Sequence, residues 1–314
     1  ERLVALVDYL AETNHVSDEV RKRALGAARL AKADQVSVMV REFADLEGVM
    51  GQTYALMEGH HPEVAQAIRE QYLPDAAGGA LPETLPGALL ATAEKVDNIV
   101  AAFACGEPPT GSKDPYGLRR AAAGMVAIAL QHGLHYDVEQ LVGQTYAGLE
   151  RFLGLVEEQV VRGEATAFIL ERLVKTLTDE GLSRDTVDAV LPTSRDFLDL
   201  RARALALESF RKTDRWDDLV TAFTRPANLA CKLPEEATGQ PVDPTLFQSE
   251  AESALYSAWQ EADAAVRTAV QDGKYEGALE ALAALRPAVD RYFDEVLVMA
   301  DDEALRLNRL RMLA

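Results

Sequence analysis

This sequence predicts an all-α protein in two parts. Apolar residues recur at helical spacing along nearly the whole chain, and no stretch shows a convincing strand alternation. Helical stretches begin and end at Ser, Asp, Gly and Pro positions that suit caps and breaks. With 314 residues, 48% of them apolar and 26% charged, the chain is long enough for two domains with a core each.

Taken in order, an amphipathic helix is expected near Arg2 to Glu12. A second opens at Ser17, whose hydroxyl caps it, with Asp18 and Glu19 placed well against the helix dipole. The triplet Arg21, Lys22 and Arg23 reads as a solvated face. From Asp34 to Met57 one long helical pattern carries Val36, Val38, Met39, Val40, Phe43 and Leu46 inward, and Gly48 and Gly51 allow close packing or a kink. Pro62 opens a helix that runs to about Tyr72. Residues 74–87 are a Gly, Ala and Pro loop, and Pro86 to Cys105 is a mostly apolar, central helix.

The stretch Gly106 to Met125, GEPPTGSKDPYGLRRAAAGM, begins as a stiff loop because Pro108, Pro109 and Gly111 cannot continue a helix. Asp114 is expected to cap a new helix, Pro115 fits its first turn, and Arg119 and Arg120 fall in its second. Lys113, Arg119 and Arg120 then stand together near a helix start, a suitable place for an anionic group. Residues 137–192 read as helical again. Asp137 caps one segment, a long pattern continues through Phe152, Leu155, Val160, Phe168 and Leu173, Gly181 stops it, and Ser183 to Val190 is a short helix. The boundary is placed near Pro192, giving domains 1–192 and 193–314.

The second part opens with a charged helix from Thr193 to about Phe210, followed by an apolar face of Trp216, Leu219, Val220 and Phe223. In the run Thr224 to Leu229, TRPANL, Pro226 is expected to interrupt the helix and Asn228 to cap the next segment. Lys232 to Pro244 is a polar loop. Long helices follow over Leu246 to Val270 and Tyr275 to Leu285, another opens at Pro287, and Asp301 or Asp302 caps the last. Leu305, Leu310 and Met312 face inward there, and Arg306, Asn308, Arg309 and Arg311 are left for the surface.

Several function classes are excluded by composition. No apolar run reaches the roughly 20 residues of a membrane span. Cys105 and Cys231 stand apart, which indicates a reducing, cytoplasmic setting without a disulfide framework. A net charge of −19 opposes generic binding to DNA or RNA. The acidity is uneven, however. Residues 248–303 hold 13 acidic against 4 basic side chains, whereas residues 201–232 hold 7 basic against 4 acidic. Gripping an RNA through local basic patches remains open.

The run PTGSKDPYGLRRAA closely resembles a signature of the β subunit of the bacterial two-subunit glycyl-tRNA synthetase. Leu30 to Ala55, Pro62 to Pro74, Ala93 to Gly106 and Val289 to Leu313 resemble the same family in the same order. That family's β subunit is much longer, so the chain looks like its C-terminal portion, and Glu1 in place of Met agrees. The resemblance implies a divergent HD-domain-like helical bundle, then a helical anticodon-binding domain resembling that of arginyl-tRNA synthetases.

It also implies that the glycyl-adenylate chemistry, with its ATP and Mg, belongs to a separate α chain, and that this chain binds tRNA(Gly) and assembles with that chain. No cofactor is expected in this piece. Lys113, Arg119, Arg120, Arg225, Asn228, Arg306, Asn308 and Arg309 are the candidate tRNA contacts, the weakest being at TRPANL, where Thr224 replaces the family's lysine. No catalytic residue is nominated, because no phosphate-cradling glycine loop or nucleophile–base pattern is present.

The HD resemblance makes a metal-dependent phosphohydrolase the competing function. No His-Asp dipeptide occurs, and Ala93-Glu94 stands where the family has Ala-Asp. His132 and His135 flank a helix-ending Gly133 with no carboxylate expected nearby, so no metal is expected. A helical adaptor for a protein partner is the remaining alternative.

Overall fold

A computed structural model describes residues 1–149, 152 and 154–314. The described residues form sixteen α-helices and short 3-10 turns, and they contain no strand beyond an isolated bridge between Thr110 and Lys113. None of the described helices is long and apolar enough to cross a membrane. By compactness the chain divides between Arg201 and Ala202, later than the expected boundary near Pro192.

The first unit contains α1 (Arg2–Thr13), α2 (Asp18–Leu30), α3 (Val38–Glu42), α4 (Val49–Met57), α5 (Pro62–Glu70), α6 (Leu85–Ala104), α7 (Leu118–His132), α8 (Val138–Ala147), α9 (Glu158–Asp179) and α10 (Arg184–Val190). Helix α6 is its axis. Leu89, Leu90, Val96, Ile99 and Val100 are all fully buried, and α1, α2, α5, α7, α8 and α9 pack around it. Its start is set locally: Thr84 accepts from the Gly87 N–H at 3.1 Å, and Pro86 fits the first turn. Ser17, Asp137 and Ser183 cap α2, α8 and α10 as expected.

The expected long helix over Asp34 to Met57 is absent, and its apolar residues do not all turn inward. Val40 is buried, but Val36 is 82% exposed, Val38 76% and Phe43 61%. Asp34 is the reason. Its buried carboxylate accepts the Gly48 N–H at 2.7 Å and the Gly51 N–H at 3.0 Å, which folds the chain back into a knuckle. Gly48 sits at φ +76°, where a side chain would be strained, and Ser37 starts α3 by accepting from Val40. The pattern expected to run on through Phe152 is broken as well. Leu149 closes a turn onto Tyr146, Phe152 is exposed, and α9 begins only at Glu158. Positions 150, 151 and 153 of that expected pattern lie outside the described residues.

Helix α11 (Phe197–Phe210) contains the division between the units. The second unit then holds α12 (Trp216–Ala230), α13 (Glu250–Gln271), α14 (Tyr275–Ala283), α15 (Arg286–Glu295) and α16 (Glu303–Leu313). Its core gathers Leu255, Val289, Tyr292 and Leu310. Pro226 does not interrupt α12, which runs through it to Ala230, so Asn228 caps nothing. Pro226 and Ala222 are both buried, and packing of that face outweighs the missing N–H. Asp302 caps α16 by accepting from Leu305 at 2.9 Å.

Candidate nucleic-acid interface

The loop before α7 is built from within. Thr110 and Lys113 exchange backbone hydrogen bonds at 3.1 and 2.8 Å around Gly111, whose φ of +51° suits a residue without Cβ. The Asp114 carboxylate accepts the Leu118 and Arg119 N–H groups at 2.8 and 3.0 Å, a capping arrangement of about 1 kcal/mol. The cap works from further back than the sequence suggested. Gly117 takes the left-handed conformation (φ +65°) just before the helix, so Pro115 stays outside it and Arg119 and Arg120 occupy its first turn.

The three cations of this stretch differ in their surroundings. Arg119 donates to the Gly111 carbonyl at 2.7 Å and lies 4.0 Å from Asp114, so it staples the loop to the helix. Lys113 and Arg120 are exposed. Arg119 and Arg120 border a groove of about 450 Å³, floored by Ala123, Gly124 and Ala127 of α7 and walled by the loop from Pro74 to Leu81. Arg172 and Lys175 of α9 complete its rim, and no carboxylate lines it. Arg172 lies 5.7 Å from the Phe168 ring centroid and pairs with Glu171. Lys175 is 3.0 Å from Asp179.

Four cations over an apolar floor suit a single-stranded nucleic acid, with phosphates on the rim and a base on the floor. Sequence reasoning missed Arg172 and Lys175. Their i,i+3 spacing on α9 is the signal that places both on one face.

The second unit presents Arg225 and Asn228 on the exposed side of α12. Arg225 lies 4.6 Å from the Phe293 ring centroid and 3.9 Å from Asp290, and Phe223 is exposed beside it. A cation and an amide at i,i+3 on one helix face, with the Phe293 ring against the cation, suit an unstacked base.

The α16 candidates behave otherwise. Asn308 and Arg309 are buried rather than at the surface. Asn308 accepts from the Asp243 N–H at 2.7 Å and donates to its carbonyl at 2.9 Å. Arg309 donates to Glu252 at 2.8 Å and to the Leu297 carbonyl at 2.9 Å. Both side chains are used in holding the unit together, so neither is presented to an RNA. Arg306 folds onto the Ala300 carbonyl at 2.8 Å.

Around the histidines, His132 bonds the Pro82 carbonyl at 2.7 Å. His135 does have a carboxylate neighbour, Asp196, at 3.0 Å, contrary to expectation. Among the described residues no three His, Cys, Asp or Glu side chains gather as metal ligands.

Comparison with known proteins bears on both units. A family model described as glycyl-tRNA synthetase beta subunit matches residues 1–192, and one described as DALR anticodon binding domain matches residues 219–314. The chain is similar over its whole length to curated proteins named glycine–tRNA ligase beta subunit. It is 41% identical to those of Desulforamulus reducens and Desulforudis audaxviator and 39% identical to that of Levilactobacillus brevis. It spans 45% of the length of each of these relatives.

Proposed function

The chain belongs to the glycyl-tRNA synthetase beta subunit family, and from that premise we propose that it is the tRNA-holding, non-catalytic part of a glycine–tRNA ligase. In this reading it supports ATP-dependent attachment of glycine to tRNA(Gly), while a separate α chain carries the adenylate chemistry with its ATP and Mg. The two units divide the contact. The α7–α9 groove takes a single-stranded segment, and the Arg225–Asn228 face, in the region matched by the anticodon-binding model, takes unstacked bases. A held acceptor end raises the rate of a reaction performed elsewhere by positioning alone. A cytoplasmic setting goes with this reading.

The observation that carries the proposal is the groove. On a chain of net charge −19, four basic side chains converge with no carboxylate among the lining residues. Arg119, Arg172 and Lys175 each pair with a carboxylate outside that lining, Asp114, Glu171 and Asp179, and Arg120 is exposed. The test is a mobility-shift titration with tRNA(Gly) and a non-cognate tRNA, on the wild type and on Arg120→Ala and Arg172→Ala/Lys175→Ala variants. Both variants are expected to weaken tRNA binding while the melting temperature stays unchanged. A loss of thermal stability with no loss of affinity would assign these cations to the fold instead.

A further inference from the structure

Arg120 also borders a second cavity of the first unit, of about 330 Å³. Lys32, Tyr72, Glu94 and Lys95 line it too. Lys95 is the unusual member. It lies in the middle of α6 with 3% of its surface exposed. Of its three donors, one is used among the described residues, to the Gln71 carbonyl at 3.2 Å. Gly124 of α7 makes room for it, because a Cβ there would stand 2.9 Å from the Lys95 Cε.

The carboxylate nearest in effect, Glu94, is already shared. One of its oxygens accepts from Lys32 at 3.0 Å and from Asn98 at 2.6 Å. Glu47 and Asp75 reach the rim but are exposed to solvent, where their field is screened. Of the charged groups on the wall, Lys95 and Glu94 are buried, Lys32 is half-buried, and Arg120, Glu47 and Asp75 are exposed.

We propose that this cavity is a phosphate site, which takes the phosphate group of a nucleotide on Lys95, Lys32 and Arg120. A buried ammonium with unused donors, at Lys95, lining one polar cavity with Lys32 and Arg120, matches a phosphate. The cavity is larger than a bare phosphate requires and falls in the size range of small-ligand pockets. Tyr72 lines it and Tyr116, largely exposed, stands at its edge, which gives a base or ribose a surface to rest on. The site shares Arg120 with the groove and differs from it at Lys32 and Lys95, which do not line the groove.

Protonation gives a second readout. Burial, with the like charges of Arg120 and Lys32, lowers Lys95 to about 8, and Glu94 alone opposes the shift. A bound phosphate favours the charged amine. The ligand therefore binds with proton uptake above pH 8, and affinity falls as pH rises.

The test is calorimetric titration of the chain with inorganic phosphate and with AMP, on the wild type and on Lys95→Met and Lys32→Met variants. Saturable binding is expected in the millimolar range or tighter, and each variant weakens it. Wild-type affinity for AMP, whose phosphate is already mostly dianionic at pH 7, falls about tenfold between pH 7 and 9, as a group titrating near 8 requires. That for inorganic phosphate, whose dianion is still forming at pH 7, falls less. Arg172→Ala/Lys175→Ala leaves phosphate binding unchanged, which separates this site from the groove. If Lys95→Met fails to fold, Lys32→Met carries the comparison. Competition with tRNA identifies the source: displacement of AMP assigns the site to a nucleotide of the RNA, and simultaneous binding assigns it to a free nucleotide. Absence of saturable binding of both ligands, or wild-type affinity in both variants, overturns the proposal.

Discussion

Burial alone would raise the Glu252 carboxyl, yet hydrogen bonds from Arg309 and from the Gln248 and Ser249 N–H groups hold it below the ordinary carboxylate range. The bonds are 2.8, 2.7 and 2.9 Å long, and Glu252 has no exposed surface. Because its folded value is depressed, the stabilisation is present above the unfolded carboxylate pKa and is lost as pH falls through the folded one. Arg309→Ala removes the partner and leaves a buried charge, which costs about 3–5 kcal/mol. The urea midpoint of the second unit is expected to fall at pH 7, and the gap from wild type to narrow as Glu252 protonates in acid. A pH-independent deficit would mean that lost packing, not charge, is the cause. None of this was legible at Arg309 in the sequence. A helix pattern reports which residues share a face, but the partner that draws Arg309 inside lies 57 positions away, beyond any local period.

At the scale of elements, the capped starts of α2, α8, α10 and α16 were legible because each is set by one side-chain oxygen within three residues of the N–H it binds. The Asp34 knuckle was not. Helical spacing of Val36, Val40 and Phe43 reads as a buried face, but Asp34 reaches across 14 and 17 residues to the Gly48 and Gly51 N–H groups and breaks the run. Close packing reinforces the break, since a Cβ at Gly51 would stand 2.6 Å from the Ile68 Cγ2. Two charge-assisted bonds in a buried setting contribute on the order of 3 kcal/mol together. Asp34→Ala is therefore expected to lower the stability of the first unit by about that amount, measured as a shift in urea midpoint. Amide exchange should quicken at Gly48 and Gly51 first. An unchanged exchange rate at both would show that the knuckle holds without the carboxylate. The α7 groove was half legible for a related reason: Arg119 and Arg120 share one turn in sequence, whereas Arg172 and Lys175 join them only through the packing of α9 on α7.

For the molecule as a whole, charge distribution matters more than charge total. A chain at −19 repels a polyanion at distance, so the proposed tRNA contact requires local contacts strong enough to outweigh that field. Family membership was legible in the signature run, but net charge gave no sign of where an RNA would sit, because the basic groove is assembled from segments about 50 residues apart in sequence. Capture of this kind has a measurable consequence. Each phosphate neutralised by the groove releases counterions and contributes about −0.7 to −0.9 to the slope of log K against log salt. The Arg172→Ala/Lys175→Ala variant should therefore show a slope shallower by up to about two than wild type, one for each phosphate contact removed. Arg309→Ala, whose side chain is buried, should leave the slope unchanged wherever the unit remains folded. Parallel slopes for the groove variant and wild type would mean that the groove touches no phosphate. A shallower slope for Arg309→Ala in its folded state would mean that the second unit opens when it engages RNA.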